Sequence, residues 1–371
     1  MPELKLQGAI ESIGSSVALF TIHTTNGTPL LNTTLSASSV KIVDHQLAML
    51  ALTQWLQQHG YEEDLIAIGH RIVHGGPVHF KPERVTPALL ESLEKLIPLA
   101  PLHQPHNLNA VKLLTKLNPE TPQIACFDTG FHHTQTDIAQ MFALPKTYLK
   151  EGIRRYGFHG LSYEYITSVL PQFLSEKAKG RIVIAHLGNG ASMCAIESGK
   201  SIASTMGFTA LDGLPMGTRC GTIDPGVILY LLQQKQMSAD EVSNLLYKQS
   251  GLKGVSGLSH DMRELLAANT QDAKTAIDLF CYRINRELGS LVAALGGLDA
   301  IVFTGGIGEY AADIRTKVCN HAAWARIEIN ETANQNNEIL ISNKDSPISA
   351  WVINTDEELM IAKHALNFIQ Q

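Results

Sequence analysis

What limits this chain most is a recurring pattern: strand-length apolar runs, several closed by glycine turns, alternating with stretches of helical spacing. Residues 64–73 (DLIAIGHRIV) run into Gly75-Gly76, residues 181–187 into Gly188-Asn189-Gly190, and residues 299–304 into a turn at 305–308. Further strands are predicted at 4–10, 16–23 (after a turn at 12–15), 123–127, 191–197, 201–205 and 351–354. Between them, residues 40–59, 87–96, 107–117, 272–295 and 309–323 read as helices, and a last helix starts near 356. In 272–295 the apolar residues Ala273, Ile277, Phe280, Ile284, Leu288, Leu291 and Leu295 recur at three and four, which puts one helix face in a core. Strands alternating with helices in both halves predict an α/β fold with mixed sheets. At 371 residues the chain suits two or three domains with large cores. Ligands in such folds sit beyond the carboxyl ends of strands, and the notable polar clusters are predicted to follow strands, so a cleft between two domains is expected.

Composition removes several function classes. Hydrophobic residues at 44% and charged residues at 17% exclude a disordered or collagen-like chain. A net charge of −6 gives no footprint for nucleic acid or anionic lipid, whereas a small anion needs only two or three arginines. Five widely spaced cysteines without a Cys-x-x-Cys disfavour a disulfide framework and a structural zinc site. The chain has no apolar run of about 18 residues and no signal-type N-terminus, so a cytoplasmic protein with no membrane partner is expected.

The motifs narrow the chemistry further. No P-loop, no G-x-G-x-x-G after a strand and no G-x-S-x-G occurs. Two other glycine-rich turns do follow apolar strands, His186-Leu187-Gly188-Asn189-Gly190 and Gly305-Gly306-Ile307-Gly308-Glu309. Either alone reads more readily as a tight turn; together they point to phosphate held by backbone N–H groups. Arg71 and Arg219 each have a structural ion pair as the simpler reading, but as a pair they suit a carboxylate and a transferring phosphoryl group. Asp128 ends a strand, as a helix cap or a functional carboxylate, and His159 stands between glycines. The histidine pairs 70/74, 103/106 and 132/133 invite a zinc reading, but 70/74 falls on a strand and its exit turn, where i,i+4 residues do not converge, and no His-Glu-x-x-His or ligand-spaced carboxylate occurs.

Taken together, these segments resemble the acetokinase family, within the actin-like sugar-kinase and chaperone-ATPase superfold. The resemblance runs from about Leu4 to the last helix through GHRIVHGG (69–76), APLHQPHN (100–107), CFDTGFH (126–132), RRYGFHG (154–160), AHLGNGAS (185–192), MGFTALDGLPMGTRCG (206–221), SGLSHDMR (256–263), FTGGIGE (303–309) and NTDEELMIA (354–362). It implies two actin-like (ribonuclease H-like) domains with a cleft between them, 1–132 with 361–371 and 133–360, and a homodimer formed through the second. It also implies reversible transfer of the ATP γ-phosphoryl group to acetate, giving acetyl phosphate and ADP with Mg²⁺ or Mn²⁺. Arg71, Asp128, His159 and Arg219 would be catalytic, and Arg71, Val73, Leu102 and Phe158 would take acetate. ATP would be held by His186, Leu187, Gly188, Asn189, Gly190, Asp261, Met262, Arg263, Gly305, Gly306, Ile307, Gly308 and Glu309, and the metal by Glu357.

Acetate is already ionised at neutral pH, so its attack on phosphorus needs no general base, which agrees with an arginine-rich site. The rival readings are a propionate or butyrate kinase, against which Val73 favours acetate, and an inactive nucleotide-binding form. Three departures from the family pattern stand out. Ala210 replaces a usual proline and Gly130 a larger residue, both expected at a pocket edge. The family also opens on an Asn-x-Gly-Ser-Ser-Ser-x-Lys turn, whereas residues 1–8 match the strand after it and Ile13-Gly14-Ser15-Ser16 lacks the Asn and Lys. An open sheet edge and weak Mg-ATP binding are the expectation that follows.

Overall fold

The computed structural model describes residues 2–36, 43–61 and 63–370. The chain divides into two units: Met1–Gly75 with Lys81–Phe127 and Glu358–Gln371, and Gly76–Phe80 with Asp128–Glu357. Residues 76–80 and 128–132, assigned above to the first domain, group with the second unit, and 358–360 with the first.

The first unit holds two small sheets. Strands β1 (Leu6–Glu11), β2 (Val17–Thr24) and β3 (Pro29–Ser36) form an antiparallel meander. Phe20 and Ile22 of β2 are buried with Trp55 of the helix His45–Gln58, which Leu52 and Leu56 also seat on the sheet. That helix opens where the Asp44 carboxylate accepts the Leu47 N–H at 2.8 Å; residues 40–42 of the expected 40–59 helix lie outside the described residues. Strand β4 (Ile68–Ile72) pairs parallel with β6 (Gln123–Phe127), and the short β5 (Glu83–Arg84) pairs antiparallel with β6. Helices Pro87–Glu94 and Gln104–Leu117 cover this sheet through Leu89, Leu93, Leu108 and Val111. The buried strand expected over 64–73 is shorter, and it alternates: His70 and Ile72 are buried, whereas Gly69 and Arg71 are exposed. Arg71 is therefore not a charge inside an apolar run.

The second unit is built on one five-stranded mixed sheet, β7 (Arg181–Leu187), β8 (Ala191–Glu197), β9 (Lys200–Ser204), β10 (Ala300–Thr304) and β11 (Ser349–Val352), in the order β11-β10-β7-β8-β9. Strands β11, β10 and β7 run parallel and β7, β8 and β9 antiparallel, so the α/β fold with mixed sheets expected from the sequence is the one observed. β10 is buried throughout and β7 from its second residue on, which is why the sequence shows continuous apolar runs there rather than alternation. Helix Gly160–Leu174 packs Tyr163, Ile166, Leu170 and Leu174 onto Ile182, Ile184, Cys194, Ile196 and Val302. Helix Gln271–Leu295 buries Ala273, Ile277, Phe280, Ile284, Leu288 and Leu291, the stripe expected of it.

Two connections differ from expectation. No turn spans 305–308: helix Gly305–Tyr310 starts directly from β10, with Gly305 at φ +75° and its absent Cβ only 2.9 Å from the Leu187 carbonyl, and a break at Ala311 separates it from Ala312–His321. A side chain at 305 would be both strained and obstructed. The 188–190 hairpin does form, closed by the Gly188 N–H donating to Gly190 O at 3.0 Å, but none of its residues uses the left-handed φ that Gly and Asn permit. No helix among the described residues is long and apolar enough to cross a membrane.

Candidate active site

Three separate segments of the second unit line one cavity of about 620 Å³: Gly188 and Asn189, residues 260–263 with Leu266, and Gly306 and Ile307 with Tyr310 and Ala311. Each segment is held locally. The Gly217 N–H donates to Asn189 O at 3.1 Å, and the Asn189 side chain fills the space where a Cβ on residue 217 would stand. Asp261 caps the helix Met262–Ala267 by accepting from Arg263 N at 2.8 Å, and its carboxylate is ion-paired to the Arg263 guanidinium. Those hydrogen bonds from Arg263 hold the Asp261 carboxyl down at about 2, so it is ionised at neutral pH. With Met262, Leu266, Ile307 and Tyr310 as apolar wall and Asn189, Asp261 and Arg263 as polar edge, the cavity suits a flat apolar ring with a charged extension.

Seven of the residues expected to bind ATP line this cavity: Gly188, Asn189, Asp261, Met262, Arg263, Gly306 and Ile307. His186, Leu187, Gly190, Gly305, Gly308 and Glu309 stand behind it. Glu309 is buried, and its Oε1 accepts from Gly305 N at 3.0 Å, Thr304 Oγ1 at 3.3 Å and Thr355 N at 3.1 Å. Its role in this geometry is to clasp the start of the helix to the 355 loop. The sequence reading missed His260, Leu266, Tyr310 and Ala311. Helical spacing carries the signal for three of them, since Leu266 is four on from Met262, and Tyr310 and Ala311 are three and four on from Ile307.

A second cluster adjoins the same turn. His159 is the N-cap of helix Gly160–Leu174 and sits at φ +56°. The loop before it is fixed by close contact: the Gly160 N–H donates to Asp128 O at 2.8 Å, and a Cβ there would fall 2.2 Å from that oxygen. Gly157, at φ +75°, has the His132 ring where a side chain would go. His159 Nδ1 lies 2.8 Å from Ser192 Oγ, and its ring stacks on His186 at 4.3 Å. Arg219 donates from Nη1 to Ala210 O at 2.7 Å. The position where Gly190 would carry a Cβ is 2.9 Å from Arg219 Nη2 and 3.1 Å from His159 Nε2, so guanidinium and imidazole converge on one small residue.

Asp128 is fully buried beside this loop, and so is His132, whose Nε2–H donates to Phe158 O at 2.9 Å. Burial, opposed by that hydrogen bond and by Asp128, lowers His132 to about 4, so it is neutral and structural. The expectation that each polar cluster follows a strand holds for Asp128, the 188–190 turn and the 305–309 segment, but not for the others. His159 and Asp261 are helix caps, and Arg219 lies in the 206–221 loop. Gly130 is no pocket edge: a Cβ there would meet Phe80 O at 2.6 Å, so the backbone packing leaves no room for a side chain.

Arg71, Val73 and Leu102 belong to the first unit. There the 69–76 and 100–107 motifs are stitched together. Val73 N donates to Asn107 Oδ1 at 3.0 Å and His74 N to Gln104 Oε1 at 3.2 Å, while Gln104 Nε2 donates back to His74 O at 3.0 Å. Val73 is buried, Leu102 is 38% exposed, and Phe158, in the second unit, is buried. Glu357 opens the last helix, half-buried. Among the described residues no three His, Cys, Asp or Glu side chains are grouped to hold a metal. A single carboxylate fits magnesium, which commonly takes one or two carboxylates together with substrate phosphates and water.

A mixed-sheet α/β unit with a cavity of nucleotide size and an arginine–histidine pair at its edge defines a phosphotransferase. Residues 2–363 match the model of the acetokinase family, and the chain belongs to that family. It is 53% identical over 361 residues to the acetate kinase of Rhodopseudomonas palustris, covering 96% of this chain and 89% of that one. With the acetate kinase of Rhizobium meliloti it shares 45% identity, covering 98% and 92%. Its fold is similar to the crystal structure of a propionate kinase from Francisella tularensis (TM-score 0.90, 36% identity, covering 98% and 92%) and of the Porphyromonas gingivalis acetate kinase (0.88, 36%, 100% and 95%).

Proposed function

We propose that this enzyme transfers the γ-phosphoryl group of ATP to acetate, reversibly, giving acetyl phosphate and ADP. The observation that carries the reading is the 188–190 turn. Gly188 and Asn189 line the cavity and Gly190 stands against Arg219 and His159, so the turn adjoins both the nucleotide pocket and the pair. A nucleotide with its ring against Met262 and Ile307 directs its phosphates along the turn toward Arg219. Acetate arrives ionised and attacks phosphorus in line, with no proton to remove. Arg219 and His159 donate to the equatorial oxygens, where charge is spread in the transition state. Asp128 acts by positioning. Arg71 takes the acetate carboxylate, and Val73, Leu102 and Phe158 its methyl group, as the family resemblance implies. Glu357 would hold Mg²⁺ or Mn²⁺, which when bound neutralises phosphate charge.

Propionate is the second reading, favoured by the structural likeness to a propionate kinase, and one methylene is worth only about 1–3 kcal/mol in a pocket. Trapping the acyl phosphate with hydroxylamine, using acetate, propionate and butyrate in turn, separates the two. The expected order is acetate, then propionate, then butyrate. A kcat/KM highest for propionate overturns the first reading, and no acyl phosphate from any acid overturns both.

The proposal includes a cytoplasmic homodimer. Helix Pro225–Gln233 (PGVILYLLQ) supports it, because no residue of this apolar helix is buried and Val227, Leu229 and Tyr230 are all more than 40% exposed. A second copy covers that face. Leu229→Asp is expected to convert the dimer to a folded monomer by size exclusion with light scattering; an unchanged mass removes this helix from the interface.

A further inference from the structure

The mechanism leaves two buried hydroxyls behind His159 without a role. Helix Gly160–Leu174 brings His159, Ser162 and Tyr163 together in its first turn, at i, i+3 and i+4. Opposite that turn, β7 and β8 present His186 and Ser192, which are directly paired across the strands. The contacts cross over. Ser192 Oγ lies 2.8 Å from His159 Nδ1 and 2.5 Å from Tyr163 Oη, and Ser162 Oγ lies 2.8 Å from His186 Nδ1 and 2.9 Å from Thr355 Oγ1.

The protons in this network can be assigned by counting donors. Tyr163 and Ser192 are both fully buried, so no solvent serves them. The Tyr163 hydroxyl has Ser192 Oγ as its hydrogen-bond partner, so its proton points there; otherwise a buried donor is left unmade, which costs more than a hydrogen bond returns. Ser192 has one proton, and with Tyr163 donating into its oxygen that proton goes to His159 Nδ1. An Nδ1 that accepts belongs to a neutral imidazole carrying its proton on Nε2. That nitrogen is the one beside Gly190 and Arg219. On the other strand the same sequence, Thr355 to Ser162 to His186 Nδ1, gives the stacked partner ring the same tautomer. Two neutral rings stack at 4.3 Å without the repulsion two imidazolium rings would suffer there.

We infer that Tyr163 and Ser192 are positioning residues for phosphoryl transfer, whose one-way hydroxyl relay holds His159 as the neutral tautomer with its Nε2–H aimed at the transferring phosphoryl group. This rests on the function proposed above, and adds which atom of His159 donates and what sets it. A neutral histidine with its proton on Nδ1 would instead present the Nε2 lone pair to phosphate oxygen and repel it.

The test pairs a spectroscopic with a kinetic readout on the full chain. In ¹⁵N-histidine NMR of the ligand-free protein at neutral pH, His159 (identified by its loss in His159→Gln) is expected as the neutral Nε2–H form. Tyr163→Phe keeps the core volume and frees the Ser192 oxygen to accept, so the His159 signal moves toward the Nδ1–H and imidazolium forms. With acetate and ATP, kcat of that variant falls about tenfold, the size of one well-placed hydrogen bond, while both KM values stay unchanged. Ser192→Ala gives the same two changes. A wild-type His159 found with Nδ1 protonated overturns the inference, as does a Tyr163→Phe protein with native tautomer and native kcat. If the tautomer behaves as stated but no acid is phosphorylated, the relay stands and the proposed function fails.

Discussion

Replacing Arg219 by alanine lowers kcat for acyl phosphate formation by about a thousandfold or more, the scale seen when an arginine that meets transition-state charge on a phosphoryl group is removed. The geometry sets this apart from a folding defect. Arg219 donates from Nη1 to a loop carbonyl, that of Ala210, while its other terminal nitrogen reaches the Gly190 position where His159 Nε2 also arrives. The variant is therefore expected to unfold at the native urea midpoint and to bind ADP in the 188–311 cavity with native affinity. Arg219→Lys keeps a charge but loses the planar fork, and recovers only a small part of the rate. A kcat within tenfold of native would remove Arg219 from the reaction.

Arg315→Met is expected to give the largest loss of stability of any single change, about 3–5 kcal/mol. The side chain is fully buried, and its guanidinium donates to neutral oxygens: Asn334 Oδ1 at 2.7 Å, Gly308 O and Glu309 O at 2.9 Å, Asn334 O at 2.8 Å and Asn337 Oδ1 at 2.6 Å. Burial lowers it to about 10, so it remains charged at neutral pH. Methionine fills much of the space but leaves those oxygens unpaired in the interior. Because two of them end the helix that carries Gly306 and Ile307, the KM for ATP should rise along with the fall in the urea midpoint. A midpoint change worth less than about 1 kcal/mol, the net value of a single hydrogen bond, would show that water or a rearranged helix replaces the guanidinium.

Neither Arg315 nor the hydroxyl relay stands out in the sequence, and the reason is physical. Strands β6, β7 and β8 have the bounds read from their residues, because buried central strands write themselves as unbroken apolar runs between polar stops. β3 (PLLNTTLS) is mostly exposed, and its polar alternation resembles a loop. Helix Pro225–Gln233 is apolar all round with nothing buried, so it shows no periodicity to detect. Helix Gly160–Leu174 is introduced by a non-glycine residue at positive φ, a start without a recognisable capping side chain. Within the candidate site, glycine motifs located the 188–190 turn and the 306–307 wall. They also drew Glu309 into the ligand set, because a motif gives order along the chain and not the direction in which a carboxylate faces. Ser162, Ser192 and Tyr163 carry no sequence signal for a related reason: a buried hydroxyl is known by what it touches, and sequence spacing does not give that across a sheet.

The Glu309 clasp bears on where the cost of catalysis falls. One carboxylate oxygen joins Gly305 at the head of the cavity helix to Thr355; Thr355 reaches Ser162, Ser162 reaches His186, and Glu357 follows two residues later. The backbone at Gly305, the stacked imidazoles of His159 and His186 and the start of the last helix thus share one covalent and hydrogen-bonded frame. Dipoles fixed before the substrate arrives spend little free energy reorienting as charge moves from ATP to the acid, and this preorganisation serves both directions of a reversible transfer equally.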